Sequence, residues 1–134
     1  MSRERDQTVF LSVQDVLAIH NNTLTNEGGA RGVGDLGLLE SAVAMPQQSF
    51  GGQMLHEDVL SQAAAYLLHI VNNHPFVDGN KRAGLQACQV FLRVNGYQQP
   101  SPRDAVALTM AVARRELGKD GLTQWFAENL GPLG

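Results

Sequence analysis

The run HPFVDGNKR, from His74 to Arg82, brings a base, a carboxylate, an amide, an ammonium and a guanidinium into one short loop. Four of those groups suit phosphate chemistry. Gly79 permits a sharp turn with positive φ, after which the backbone N–H groups of Asn80 to Ala83 can converge on one anion at the start of a helix. Lys81 and Arg82 add charge-assisted donors at the same place. Asp78 is a hard oxygen ligand suited to a Mg²⁺ ion that bridges phosphates, since that ion is usually held by one or two carboxylates plus substrate oxygens. His74 is the residue type that takes a proton from an attacking hydroxyl near neutral pH. Phe76 reads as the anchor that sinks into the core, and Pro75 stiffens the approach.

A plainer description fits the same residues. Asp78-Gly79-Asn80 can be a turn with a solvated cap, Lys81 and Arg82 a solvated face, and His74 a surface or core histidine. Spacing alone leaves the two descriptions open.

The elements that must position this loop read as helices throughout. Ser12 and Asp15 form a capping-box pattern, followed by Val13, Val16, Leu17, His20 and Leu24 on one helical face. The glycine-rich EGGARGVGDLG leads to Asp35, an N-cap for LGLLESAVAM, whose Leu36, Leu39 and Val43 share a face until Pro46. PQQSFGGQM has turn residues and little periodicity, so it predicts a loop or short hairpin. In HEDVLSQAAAYLLHIVNN, Val59, Ala63, Tyr66, Leu67 and Ile70 return to helical register.

After the loop, KRAGLQACQVFLRVNG is apolar on nearly every face beyond its first turn, the pattern of a central helix wrapped by others, and Gly96 supplies its stop. Ser101, Pro102 and Asp104 announce a fifth helix over AVALTMAVARREL, and Leu122, Trp125, Phe126 and Leu130 a short sixth. The expected fold is an all-α single-domain bundle, residues 1–134 with a core of about 9–131, built around one buried helix with a short flap or hairpin.

Composition narrows the function. With 13 acidic and 10 basic residues the formal charge is −3, the wrong sign for a domain that neutralises a nucleic-acid backbone. The chain of 134 residues can bury a sizeable core without a staple, and its single cysteine, Cys88, points to a reducing compartment. MSRERDQT has no apolar signal segment and AAAYLLHIV is too short for a membrane span, so the expected location is cytoplasmic, away from any membrane.

HPFVDGNKR matches H-x-F-x-[DE]-G-N-x-R, the signature of the Fic family, at every specified position. LSVQDVLAIH, GDLGLLESAVAMPQQSFGG, FLRVNGY and GLTQWFAENL, in this order, resemble the death-on-curing (Doc) branch of that family. The resemblance covers nearly the whole chain after about Val9. It implies an all-α toxin of a bacterial toxin–antitoxin module, with His74 as the base on a target hydroxyl and Asp78 as Mg²⁺ ligand. It further implies Gly79, Asn80, Lys81 and Arg82 as contacts to the phosphates of ATP, and Phe76 as the motif anchor. Gln47, Gln48, Ser49, Phe50, Gly51 and Gly52 would form the flap that aligns the target. The implied reaction is γ-phosphate transfer to a Ser or Thr hydroxyl, with elongation factor Tu as target, and the implied partner is a Phd-like antitoxin whose disordered tail folds on binding.

Two departures bear on the reaction. AMP-transferring Fic enzymes usually carry Gly where Lys81 stands and a second Arg where Leu85 stands, so AMP transfer ranks behind phosphotransfer; an inactive binding module ranks behind both. Gly84, inside the helix, suggests a close approach by another helix or a ligand.

Other signals carry less. GVGDLG matches G-x-G-x-x-G with neither a preceding strand nor a βαβ unit, and reads as a glycine-shaped loop. TLTNEG matches a short self-inhibitory pattern that would require Glu27 to reach Arg82, and is taken as coincidence. His20, His56 and His69 have no zinc spacing, and His20 and His69 read as hydrogen-bonded structural residues. Cys88 and Trp125 read as core.

Overall fold

The computed structural model describes residues 8–27, 32–54, 56 and 58–133. The described residues form six α-helices in order: α1 Val13–Glu27, α2 Leu36–Ala44, α3 Val59–Asn73, α4 Asn80–Val94, α5 Pro102–Ala113 and α6 Lys119–Asn129. The MSRERDQ segment, the EGGAR stretch beyond Glu27 and the Glu27 side chain invoked for self-inhibition lie outside the described residues.

The helix ends follow local chemistry. At α1 the Ser12 N–H donates to Asp15 Oδ2 at 2.8 Å and the Asp15 N–H to Ser12 Oγ at 3.0 Å, the reciprocal pair of a capping box. Asp35 caps α2 by accepting from Leu38 N–H. Asp58 and Ser61 form a capping box on α3, and Ser101 caps α5 ahead of Pro102. Gly96, at φ 88°, closes α4: its N–H reaches the Arg93 carbonyl and that of Tyr97 the Leu92 carbonyl.

Between α2 and α3 the chain takes one 3₁₀ turn, Met45–Gln47, with Pro46 buried, and then a hairpin of β1 Ser49–Phe50 and β2 Gln53–Met54. Ser49 faces Met54 and Phe50 faces Gln53 in antiparallel register. Gly51 and Gly52 both have positive φ, the requirement of the two-residue turn whose twist matches the strands.

The central helix is α3, and this corrects the expectation for α4. Buried residues of α3 run unbroken from Ser61 to Leu67 and resume at Ile70 and Val71, and it packs against α2, α4, α5 and α6. Its Ala63-Ala64-Ala65 run lets neighbours approach on several sides. Helix α4 instead has one buried face, Ala83, Gly84, Ala87, Cys88, Phe91 and Leu92, with Gln86, Arg93 and Val94 exposed. At Gly84 α3 and α4 meet closely: a Cβ there would stand 2.8 Å from a Val71 methyl. In α2, Leu39 and Val43 are buried while Leu36 is 54% exposed, because Leu36 opens the helix a full turn before that buried face begins. In α6, Leu122 and Phe126 are buried, with Trp125 and Leu130 packed partly against the core. No described helix is long and apolar enough to cross a membrane.

Candidate active site

Helix α3 ends at His74, which takes the left-handed conformation, φ 52° and ψ 53°, and turns the chain away from the helix axis. The next residues are fastened from three directions. On one side, the strip 32–35 pairs with them: the N–H groups of Gly34 and Asp35 both donate to the Pro75 carbonyl, at 2.8 and 3.0 Å, and the Val77 N–H donates to the Gly32 carbonyl at 3.1 Å. In this strip Gly32 has φ 110°, a conformation that favours glycine, whereas a Cβ on Gly34 would make only ordinary contact with the Pro75 oxygen at 3.5 Å.

From below, Phe76 is buried and its ring stacks on the imidazole of His20, with centroids 3.7 Å apart and planes 5° from parallel. His20, 4% exposed on α1, also donates from Nε2 to the Asp78 carbonyl at 2.7 Å. From within, Asn80 is 6% exposed and clamps the loop: Oδ1 accepts from Phe76 N–H at 2.9 Å and Nδ2 donates to the Phe76 carbonyl at 3.0 Å. The second Nδ2 proton points to His74 Nδ1 at 3.3 Å. An amide NH₂ only donates, so in the neutral imidazole that accepts this bond the ring proton resides on Nε2. Nδ1 is then the basic atom, held by a long bond that must give way when it takes a proton.

Gly79, at φ 80°, is the residue before α4, and the Asp78 carboxylate accepts from its N–H through Oδ1 at 2.8 Å. The Ala83 N–H already donates to the Gly79 carbonyl at 2.9 Å, so the expected anion-facing set loses Ala83 and shrinks to Asn80 through Arg82. Because the Asn80 side chain is held inside the loop, any anion contact from this residue must come from its backbone.

His74, Val77, Asp78, Gly79, Asn80, Lys81 and Arg82 line one open pocket of about 420 Å³. The exposed His74, the exposed Asp78 and the two cations thus face one space, while Phe76 lies beneath it in the core. Gln47, Gln48, Ser49, Gly51 and Gly52 are exposed around the hairpin, which contributes no described residue to the pocket wall.

The model of the Fic/DOC family matches residues 10–92, a span holding α1, the strip, the hairpin and the whole loop. The chain belongs to the Fic/DOC family. It is 36% identical over 123 residues to Toxin Doc of Mycolicibacterium smegmatis, covering 90% of this chain and 92% of that protein. It is 29% identical over 107 residues to Protein kinase doc of Escherichia phage P1, covering 80% and 84%.

Within this Fic/DOC chain, one positioning group was not evident from sequence. A buried polar residue needs a partner, which makes His20 on the Val16–Leu24 face a structural histidine, but nothing local names Asp78 and Phe76 as its partners. The strip 32–35 was likewise legible only as a glycine loop. Cys88 is fully buried and burial pushes its thiol pKa up, which suits packing and opposes nucleophilic chemistry. His69 is partly buried, with its pKa lowered by burial and then by His56.

Proposed function

We propose that this chain is the toxin of a toxin–antitoxin module and that it transfers the γ-phosphate of ATP to a Ser or Thr hydroxyl of a target protein, with elongation factor Tu as the first target to try. The observation that carries the reading is the convergence, in one pocket, of His74 with the start of α4, where Lys81 and Arg82 stand beside a left-handed glycine. A helix start with two cations suits a phosphate, and a base beside it suits the deprotonation of an attacking hydroxyl.

In this mechanism the target oxygen attacks the γ-phosphorus, the bond to the bridging oxygen of the β-phosphate breaks, ADP leaves, and His74 takes the hydroxyl proton. The Asn80 clamp holds His74 in place, and Lys81 and Arg82 stabilise charge on the phosphoryl oxygens. A single carboxylate in the pocket wall, Asp78, fits Mg²⁺ that arrives largely coordinated by phosphate oxygens. Such an ion would neutralise charge on the phosphates. Gln47 to Gly52, among which Gln47, Gln48, Ser49, Gly51 and Gly52 are exposed, form the surface that aligns the target segment. The relatives named Toxin Doc and Protein kinase doc support both the toxin and the phosphotransfer reading. A Phd-like antitoxin with a tail that folds on binding completes the module, and the reaction belongs in the cytoplasm.

Incubation with bacterial lysate and Mg²⁺, using ATP labelled at the α- or the γ-phosphate, tests the reading. Label from the γ-position alone on one protein band is expected, and it vanishes in His74→Ala. Transfer of α-label would instead establish AMP transfer, despite Leu85 at the position of the second Arg. No transfer with antitoxin binding retained would leave a binding module.

A further inference from the structure

Among the described residues that line the active-site pocket, Val77 carries the one apolar side chain; the rest of the wall is charged, amide, imidazole or glycine. Val77 is 59% exposed. The pairing of the strip explains why: Val33 bridges to Phe76 in antiparallel register and both pack on the core, so the next residue, Val77, turns outward. The bond from its N–H to the Gly32 carbonyl keeps it on that face. The strip then runs on to Leu36, 54% exposed at the start of α2, directly after Asp35, whose N–H is tied to the Pro75 carbonyl. Two large apolar side chains therefore stand open to solvent on the paired segments next to His74.

We propose that Val77, with Leu36 on the paired segment, receives an apolar side chain of the target, and so selects Ser or Thr hydroxyls that have an aliphatic or aromatic neighbour. This assignment rests on the reading of His74 as the base on a protein hydroxyl, and it narrows the substrate of that site.

Two reactants must meet in the pocket. The cations and the start of α4 suit the polyanion, to which an exposed valine offers nothing. The segment that presents the hydroxyl must pass over His74, and in an extended segment a side chain two residues away on the same face stands about 7 Å from it. A residue within two positions of the hydroxyl thus falls over the rim. Continuity decides the occupant: Val77 is part of the pocket wall, so it is covered by the molecule whose hydroxyl reaches His74.

The test starts from the protein that the full chain labels in bacterial lysate with Mg²⁺ and γ-labelled ATP. Mapping of the labelled residue is expected to find an aliphatic or aromatic side chain within two positions of it. With that protein purified as substrate, the isosteric Val77→Thr is expected to raise its KM about fivefold or more, with kcat and the KM for ATP little changed. Val77→Ile should keep the low KM. Replacing the apolar neighbour in the substrate by Ser should raise KM similarly, and the two changes together should add little further, as expected of groups in contact. Polar or charged residues alone around the labelled site, an unchanged KM in Val77→Thr, or full additivity would overturn the assignment while leaving the transfer reaction standing. If self-association of the chain, followed by sedimentation, were lost in Val77→Thr with KM unchanged, the face would belong to a second copy instead. No labelling by the unaltered chain would overturn the transfer reading itself, and this assignment with it.

Discussion

His20 Nε2 stands 2.7 Å from the carbonyl oxygen of Asp78, across 58 residues of sequence, and the same imidazole lies flat on the ring of Phe76. Since a carbonyl only accepts, Nε2 carries a proton. One side chain of α1 therefore fixes both the anchor of the loop and the backbone of the proposed Mg²⁺ ligand.

The two halves of that contact separate by mutation. His20→Ala removes the stack and the hydrogen bond and is expected to cost about 2–3 kcal/mol of stability. His20→Phe keeps a ring against Phe76 but leaves the Asp78 carbonyl without its donor. It is expected to retain most stability while lowering the turnover of transfer about tenfold, with little change in KM for ATP. Thermal melts beside steady-state kinetics distinguish these outcomes; an unchanged turnover in His20→Phe would limit His20 to a packing role.

His74 is exposed, so its removal should disturb chemistry more than folding. Its positive φ matters to the design, because asparagine tolerates the left-handed region better than alanine. His74→Asn is expected to lose transfer by about a hundredfold or more with a melting temperature close to that of the unaltered chain. Asn80→Ala should lose both activity and stability, since it leaves the buried Phe76 N–H without its acceptor at a cost of about 1–3 kcal/mol.

Gly84 sets the spacing of α3 and α4. Alanine would improve helix propensity by about 1 kcal/mol. Its Cβ, however, would meet the Val71 methyl at 2.8 Å and the Leu67 carbonyl oxygen at 3.3 Å. Overpacking of this kind costs about 1–3 kcal/mol, so Gly84→Ala is expected to destabilise the fold by about 1 kcal/mol net. Chemical denaturation measures this directly; a gain in stability would show that the interface opens freely.

Acid should weaken the fold through two histidines. His56 is buried with neither ring nitrogen hydrogen-bonded among the described residues, and burial, then Lys119, lowers its pKa; His69 is lowered by burial, then by His56. A lowered folded pKa means that the unfolded chain binds more protons below the ordinary imidazole value of about 6.5. This contribution is therefore complete above that pH and is lost as pH falls towards the folded values. Melting temperatures should decline from about pH 7 to pH 5, with a shallower slope in His56→Leu. An equal slope in that variant would assign the decline to other groups.

Local chemistry made much of this protein legible from sequence. Ser12, Asp35, Ser101 and Gly96 mark helix ends through bonds to residues within a turn or so, and the loop motif carries its base, carboxylate and cations within a few residues. Short-range geometry suffices there, and so the six helices, the hairpin and the loop before α4 could be read in advance.

Tertiary packing decided the rest. It made α3 the central helix, because burial depends on which faces find neighbours, and α3 finds them on several sides where α4 finds them on one. It turned the Asn80 side chain inward to hold Phe76 and His74, and it brought His20 beneath Asp78. It also joined Leu85 of α4 to Val106 and Met110 of α5 in a hollow that neither helix forms alone. Such contacts link groups far apart in sequence, where neither spacing nor propensity names the partner; only the packing of helices in three dimensions does.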